Sequence, residues 1–248
     1  MSITVNIAGI DVTFGSYREL IANLYAGLHQ KKECITVGYV NANTIVLSRE
    51  DSELFAALNG FSALLADGAG IHLAARLLHT TVKGLWSNNN ATDFNFEMLR
   101  YADEHSLRIY FLGTTRVSLD LLQKRITERY SGITVVGCSD GFVDIHDASL
   151  PEMINRTKPD ILMVGMGSPI QELWVNKHKE DLNVPLTITV GAFLDYVSGY
   201  MQRAPMFFRL CRMEWLYRLL IEPRRLWRRY IIGIPKFVYI VLWQKFHR

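Results

Sequence analysis

The chain has 248 residues, 49% of them hydrophobic and 21% charged, enough to fill the core of one α/β domain with an appendage or of two small domains, and a disordered protein is excluded. Cys34, Cys138 and Cys211 stand far apart, without the pairs or histidine spacing of a zinc site or disulfide framework, so a reducing cytosol suits them. The net charge of +3 conceals a division: residues 200–248 hold 11 Lys/Arg and two acids, whereas residues 1–199 hold 16 basic and 22 acidic residues.

Residues 3–13 alternate apolar and polar about Gly9, as a short hairpin would. A helical pattern covers 17–30, an extended run 35–40, and a second helical pattern 43–58 with a break at 49–52. Residues 61–66 read as a short strand ending in Asp67-Gly68-Ala69-Gly70, and 71–78 as a helix. After the polar loop Trp86–Ala91, Thr92-Asp93 can cap a helix running to His105. Strands at 107–112, 133–137, 160–164 and 186–190 then take turns with helices at 117–130 and 149–157 and one opening at Ser168-Pro169, with Gln171 three after the cap.

Continuous apolar strands separated by helices predict a doubly wound, mainly parallel sheet with helices on both faces. Ligands in such folds sit beyond the carboxyl ends of the strands. The charge change at 199–205 divides an α/β core, residues 1–199, from a basic, aromatic helical appendage, residues 200–248. Three of the five tryptophans lie in that appendage, interleaved with arginines, a pattern suited to an anionic surface. No nucleic-acid partner is expected, because the acidic body offers no continuation of a basic track. The segment Met1–Gly15 lacks a basic region followed by an apolar run, so no signal peptide is expected. The longest apolar stretch, Tyr230–Trp243, is 14 residues and includes Pro235 and Lys236, short of the roughly 20 that a spanning helix needs.

Asp67-Gly68-Ala69-Gly70 at a strand end is a candidate active-site loop, with Asp67 pointing into the crevice; equally, Asp67 could cap the following helix. The motif is not a dinucleotide fingerprint, since Leu73 stands where its third glycine would be. Gly165–Glu172 offers free amides at a helix start to a phosphate or a sugar, or else is a capping box in which Gln171 bonds backward. Gly113-Thr114-Thr115-Arg116 reads better as an ordinary loop than as a phosphate site, and Asp140–Asp147 as a solvated loop with a helix cap rather than a metal site. No metal and no cofactor are expected. Arg218, Arg224, Arg225, Arg228 and Arg229 could clamp a diphosphate or meet lipid headgroups; Arg225, Arg228 and Arg229 share a face if Pro223 starts a helix.

Several stretches together resemble the WecG/TagA/CpsF glycosyltransferase family over about Val37 to Pro235. They are Asn41-Ala42-Asn43, Ala66–Gly70 with Ala74-Ala75-Arg76, Phe111-Leu112-Gly113, Asp140-Gly141-Phe142, Pro159–Leu162 running into Gly165–Trp174, Arg203-Ala204-Pro205, and Glu214–Leu220 continuing through Glu222–Leu226. The resemblance implies an inverting, metal-independent transfer of a hexose of the N-acetylmannosamine, N-acetylmannosaminuronate or glucose type from a UDP-sugar. The acceptor it implies is a sugar on undecaprenyl diphosphate, at the cytoplasmic face of a bacterial plasma membrane, in synthesis of a surface polysaccharide. By the same resemblance Asp67 is the general base, Asn41 and Gln171 contact substrate, and Arg218, Arg225 and Arg228 hold the diphosphate when the tail closes. The anionic membrane surface is the third expected partner, and homo-oligomerisation is left open. Tyr39 and Asn43 depart from the family's usual threonine and glutamate, and residues 84–93 replace a usual short turn. A non-catalytic lipid- or polysaccharide-binding protein on the same scaffold is the alternative.

Overall fold

The computed structural model describes residues 2–28, 34–79, 90–142, 144, 147–211 and 213–247. The chain opens with β1 (Ile3–Ile7) and β2 (Ile10–Phe14), then α1 (Tyr17–Leu28), β3 (Ile35–Val40), α2 (Ala42–Glu50), α3 (Ser52–Asn59), β4 (Ala63–Ala66) and α4 (Ala69–Leu78). There follow α5 (Ala91–Glu104), β5 (Arg108–Gly113), α6 (Arg116–Arg129), β6 (Thr134–Ser139), α7 (Ser149–Arg156), β7 (Ile161–Gly165), α8 (Ile170–His178), β8 (Leu186–Thr189) and α9 (Phe193–Ser198). The tail forms α10 (Met206–Leu210), α11 (Glu214–Ile221), α12 (Pro223–Trp227), a π-helical segment (Arg228–Ile232) and α13 (Gly233–Phe246).

Among the described residues eight strands make one sheet in the order β1-β2-β4-β3-β8-β7-β5-β6. Only the β1–β2 hairpin is antiparallel; the other neighbours are parallel. The apolar runs are continuous because alternate residues serve opposite faces. Ile109 and Phe111 of β5 enter a core with α1, α5, α6 and α9, whereas Tyr110 and Leu112 enter one with α7 and α8. A third core joins β1 and β2 to α2, α3 and α4, and takes Phe237 and Val241 from α13. The doubly wound arrangement expected from the sequence is present.

The tail is bound to this body at several points. Gln244 of α13 accepts from Ala8 N at 2.8 Å and donates to Asn6 O at 3.1 Å, fastening the last helix to the edge hairpin. Lys236 pairs with Glu50 of α2. Pro223 starts a helix, the condition set for Arg225, Arg228 and Arg229 to share a face, and the helix widens to a π-turn from Arg228 to Ile232. Among the described residues no helix is long and apolar enough to cross a membrane.

Candidate active site

Because β4, β3, β8 and β7 are adjacent and parallel, their carboxyl ends form one rim, and the segments that follow them carry Asp67, Asn41, Gly191 and the Gly165–Gln171 turn. Val40 and Ala66 are register partners, and Asp67 N donates to Val40 O at 2.9 Å, so Asn41 and Asp67 leave the sheet side by side. Gln171 joins them across β8, and these three predicted residues share the rim.

Asp67 does not cap α4. The cap position falls to Gly68, whose φ of 83° and ψ of 159° turn the chain away, and no side chain caps the helix. Gly68 reaches that left-handed region without penalty because it has no Cβ. The Asp67 carboxylate instead crosses to the start of α5, where Oδ1 accepts from Ala91 N at 3.0 Å. It is half-buried, and its neighbours Ala66 and Ala91 join Tyr17, Tyr39, Leu65 and Phe94 about a crevice too narrow for a water molecule. Burial pushes both phenols up, and the Asp67 charge adds to the rise in each, Tyr39 well above its ordinary value. Tyr39, at the position where the sequence departs from the family's threonine, donates to Asn95 Oδ1 at 2.6 Å inside the core.

Asn41 is the N-cap of α2: its side chain accepts from Thr44 N at 3.1 Å, while Asn41 N donates to Thr44 Oγ1 at 3.4 Å. Its carbonyl oxygen is thus committed to the cap, and its amide nitrogen is the atom the cap does not use. Gln171 does bond backward, to Gly167 N, as one of its two readings had it, but not in a capping box. The helix starts at Ile170, the cap residue Pro169 has no side-chain bond to give, and Gln171 Oε1 accepts from Gly167 N at 3.2 Å and Gly191 N at 3.1 Å. One buried amide therefore staples the turns that follow β7 and β8. Its Nε2 donates to Glu172 Oε1 at 2.8 Å, and burial raises the Glu172 carboxyl above its ordinary value against the hydrogen bonds from Gln171 and Ser168.

The Gly113–Arg116 turn is an ordinary loop with a cap: Thr115 caps α6 by accepting from Ser118 N at 3.2 Å. Thr114 donates to Asp195 of α9, as does Ser118 at 2.7 Å. In the Asp140–Asp147 stretch, Val143, Ile145 and His146 lie outside the described residues; Asp147 accepts from Ser149 N at 2.9 Å at the entry to α7. Of the departing loop at 84–93, residues 84–89 also lie outside them.

The three predicted arginines separate. Arg218, half-buried on α11, reaches Tyr196 of α9, donating to its hydroxyl and lying 5.4 Å from its ring centroid. Arg225 is exposed and pairs with Glu222, and Arg228 is exposed with its guanidinium 5.4 Å from the Trp227 ring. Arg218 is the one of the three seated against the core.

Sequence reasoning did not single out the residues that bind the tail to the rim. Arg203 donates to Asp93 at 2.6 Å and to Glu214 at 3.3 Å, and Asn90 Nδ2 donates to the same Glu214 oxygen at 3.1 Å. Asn90, not Thr92 or Asp93, caps α5, accepting from Thr92 N at 2.8 Å. Asp93 is thereby left to pair with Arg203. Burial works to lower the Arg203 pKa, but the hydrogen bond and charge of Asp93, joined by Glu214, outweigh it and hold the guanidinium above its ordinary value. Arg203-Ala204-Pro205 and Glu214 belong to stretches that carry the family resemblance, which was the available signal; the partner Asp93 lies 110 residues from Arg203.

Residues 5–248 match the glycosyl transferase WecG/TagA/CpsF family. The chain is 32% identical over 187 residues to an N-acetylglucosaminyldiphosphoundecaprenol N-acetyl-beta-D-mannosaminyltransferase of Bacillus spizizenii, covering 75% of this chain and 70% of that protein. To the protein of the same name from Staphylococcus aureus strain NCTC 8325 it is 27% identical over 236 residues, 95% of this chain and 91% of that one. With its parallel sheet, its rim of Asn41, Asp67 and Gln171 and a match running nearly end to end, the chain belongs to the WecG/TagA/CpsF family of glycosyltransferases.

Proposed function

We propose that this glycosyltransferase moves a hexose of the N-acetylmannosamine class from a UDP-sugar to a sugar carried on undecaprenyl diphosphate, with inversion and without a metal ion. The observation that carries the reading is the Asp67 carboxylate, held through one oxygen on Ala91 N at 3.0 Å, at a rim shared with Asn41 and Gln171. The second oxygen accepts the acceptor's hydroxyl proton as that hydroxyl oxygen attacks the anomeric carbon. The bond from that carbon to the diphosphate breaks on the opposite face, and UDP departs with the electron pair. One carboxylate suffices, because a single displacement forms no glycosyl-enzyme intermediate.

The names of the two relatives support the donor and acceptor classes. Asn41 offers its amide nitrogen to substrate, and Gln171 sets the turns after β7 and β8 about it. Arg218, Arg225 and Arg228 supply the charge that a diphosphate leaving group needs; a guanidinium meets phosphate oxygens in a forked geometry. Residues 1–199 are the catalytic core and residues 200–248 the docking and closing part. Met206, Phe207 and Leu210 of α10 are 65–75% exposed beside the exposed Arg209, which suits an anionic membrane surface, and we assign this the cytoplasmic face.

The experiment is UDP release by the full chain with a lipid-diphosphate N-acetylglucosamine acceptor in vesicles, across a panel of UDP-hexoses. Asp67→Asn keeps the acceptor oxygen for Ala91 N and is expected to lose about 100- to 10,000-fold in rate. Equal rates in the two proteins remove Asp67 from the mechanism. Turnover is expected to persist in a chelator, and a strict requirement for magnesium or manganese overturns metal independence.

A further inference from the structure

We propose that Arg203 and Glu214 are positioning residues: a latch through which the C-terminal segment orients the carboxylate of Asp67 by way of Asn90 and the Ala91 amide. The inference rests on the reading of Asp67 as the base and goes beyond it by saying what aims that base.

The latch can be followed atom by atom. Glu214, the first residue of α11, holds one oxygen between Arg203 Nη2 at 3.3 Å and Asn90 Nδ2 at 3.1 Å. Arg203 Nη1 donates to Asp93 Oδ1 at 2.6 Å, so the guanidinium ties the first turn of α11 to the first turn of α5. Asn90 is held at its backbone as well: its N–H donates to the Tyr17 hydroxyl at 2.8 Å, and its carbonyl lies 3.3 Å from that hydroxyl, which can donate to it. The peptide unit joining Asn90 to Ala91 is planar, so fixing its carbonyl and the side chain before it fixes the direction of the Ala91 N–H. That N–H is the group bonded to Asp67 Oδ1 at 3.0 Å.

Two features make the arrangement more than a surface ion pair. The Arg203 and Glu214 side chains are only 15% and 18% exposed, so solvent screens their attraction weakly. The guanidinium is also the cation shared by two carboxylates, Asp93 and Glu214, and without it their like charges are left uncompensated. Loss of Arg203 therefore both frees the start of α5 and removes the charge that balances them. A base held through one oxygen loses its aim when the donor moves, and misplacement by about an ångström can cost about 100-fold in rate.

The test uses the full chain with vesicles carrying the lipid-linked acceptor. Arg203→Ala is expected to lower kcat by about 10- to 100-fold while the KM for the UDP-sugar stays within about twofold. Glu214→Gln keeps an oxygen to accept from Asn90 and Arg203 and is expected to retain most of kcat, whereas Glu214→Ala is expected to follow Arg203→Ala. The decisive measurement is Arg203→Ala combined with Asp67→Asn. If Arg203 works through Asp67, the double variant is no slower than Asp67→Asn alone; a general structural role makes the losses multiply. Thermal melts of each variant check that it is folded. A folded Arg203→Ala with unchanged kcat, or a double variant slower by the full single-variant factor, overturns the latch. Full activity of Asp67→Asn instead overturns the reading of the base, which separates the two failures.

Discussion

The ring of Phe237, near the start of α13, lies against Gly70 in the first turn of α4: a Cβ built on Gly70 would stand 3.6 Å from the ring and 3.6 Å from the Cβ of Ala42. Ala42 opens α2 immediately after Asn41, and Gly70 follows Asp67 by three residues. The last helix is thus packed over the starts of the two helices that leave the rim. Phe237 is 5% exposed and Val241 3%, so this part of the basic appendage also completes a core of the body. Phe237→Ala is expected to cost about 3–5 kcal/mol, read from the urea midpoint at unchanged slope. A shift below about 1 kcal/mol would mean that α13 is not seated there in solution.

Gly68 and Gly70 are two residues apart and should respond oppositely to alanine. Gly68 has φ 83° and ψ 159° with no atom within 4 Å of an added Cβ, so Gly68→Ala meets no clash but carries about 1–3 kcal/mol of positive-φ backbone strain. Gly70 is helical and a Cβ there makes ordinary contacts, so Gly70→Ala is expected to be neutral or to stabilise by up to about 1 kcal/mol. Chemical denaturation of both variants decides it; equal destabilisation refutes the backbone assigned to Gly68.

Glu172 makes stability depend on pH in a stated direction. Burial raises its carboxyl in the folded chain, while in the unfolded chain a glutamate ionises near about pH 4.3. As pH rises through the interval between those values the unfolded chain releases a proton that the folded chain retains. Glu172 therefore subtracts stability in that interval and above it, and subtracts none below. Glu172→Gln keeps an acceptor for Gln171 Nε2 and removes the titration, so the variant should gain on the parent from pH 4 to pH 8. Urea melts at both ends of the range check this, and a difference independent of pH would rule the titration out.

The cysteines should label in a fixed order. Cys211 is exposed at the end of α10, whereas burial raises Cys34 and pushes Cys138 up to about 11. At pH 8 about one Cys138 in a thousand is then thiolate, and labelling by an aromatic disulfide should reach Cys211 first and Cys138 far more slowly. Anionic vesicles should slow Cys211 without altering the other two. An unchanged Cys211 rate at saturating vesicles would argue against docking through α10.

The order of strands and helices was readable because it rests on local physics. Apolar runs of four to six residues bounded by turn residues make β3, β5, β7 and β8, and the break at Asp51 separates α2 from α3 where the periodicity itself lapses. The candidate site was legible in part for the same reason: Asp67, Asn41 and Gln171 each follow a strand, and a parallel sheet brings such positions to one edge. What each side chain bonds there was not legible. For Gln171 and Asp67 a local cap stood beside a place in the site, and it is Gly167, Gly191 and Ala91 that claim their oxygens. A cap is chosen by neighbours in the chain, as Gly167 is for Gln171, whereas Gly191 N comes from the turn after β8 and Ala91 N from the start of α5 once the chain has folded. Arg203, Asp93 and Glu214 show the same limit: chain order supplies three charges of the right kind, and only the folding of the tail over the start of α5 makes them one network. Sequence alone determined the scaffold, the charge division and the line of candidates along the rim; tertiary structure decided their partners, because a hydrogen bond depends on distance in space and chain spacing does not encode it beyond a few residues.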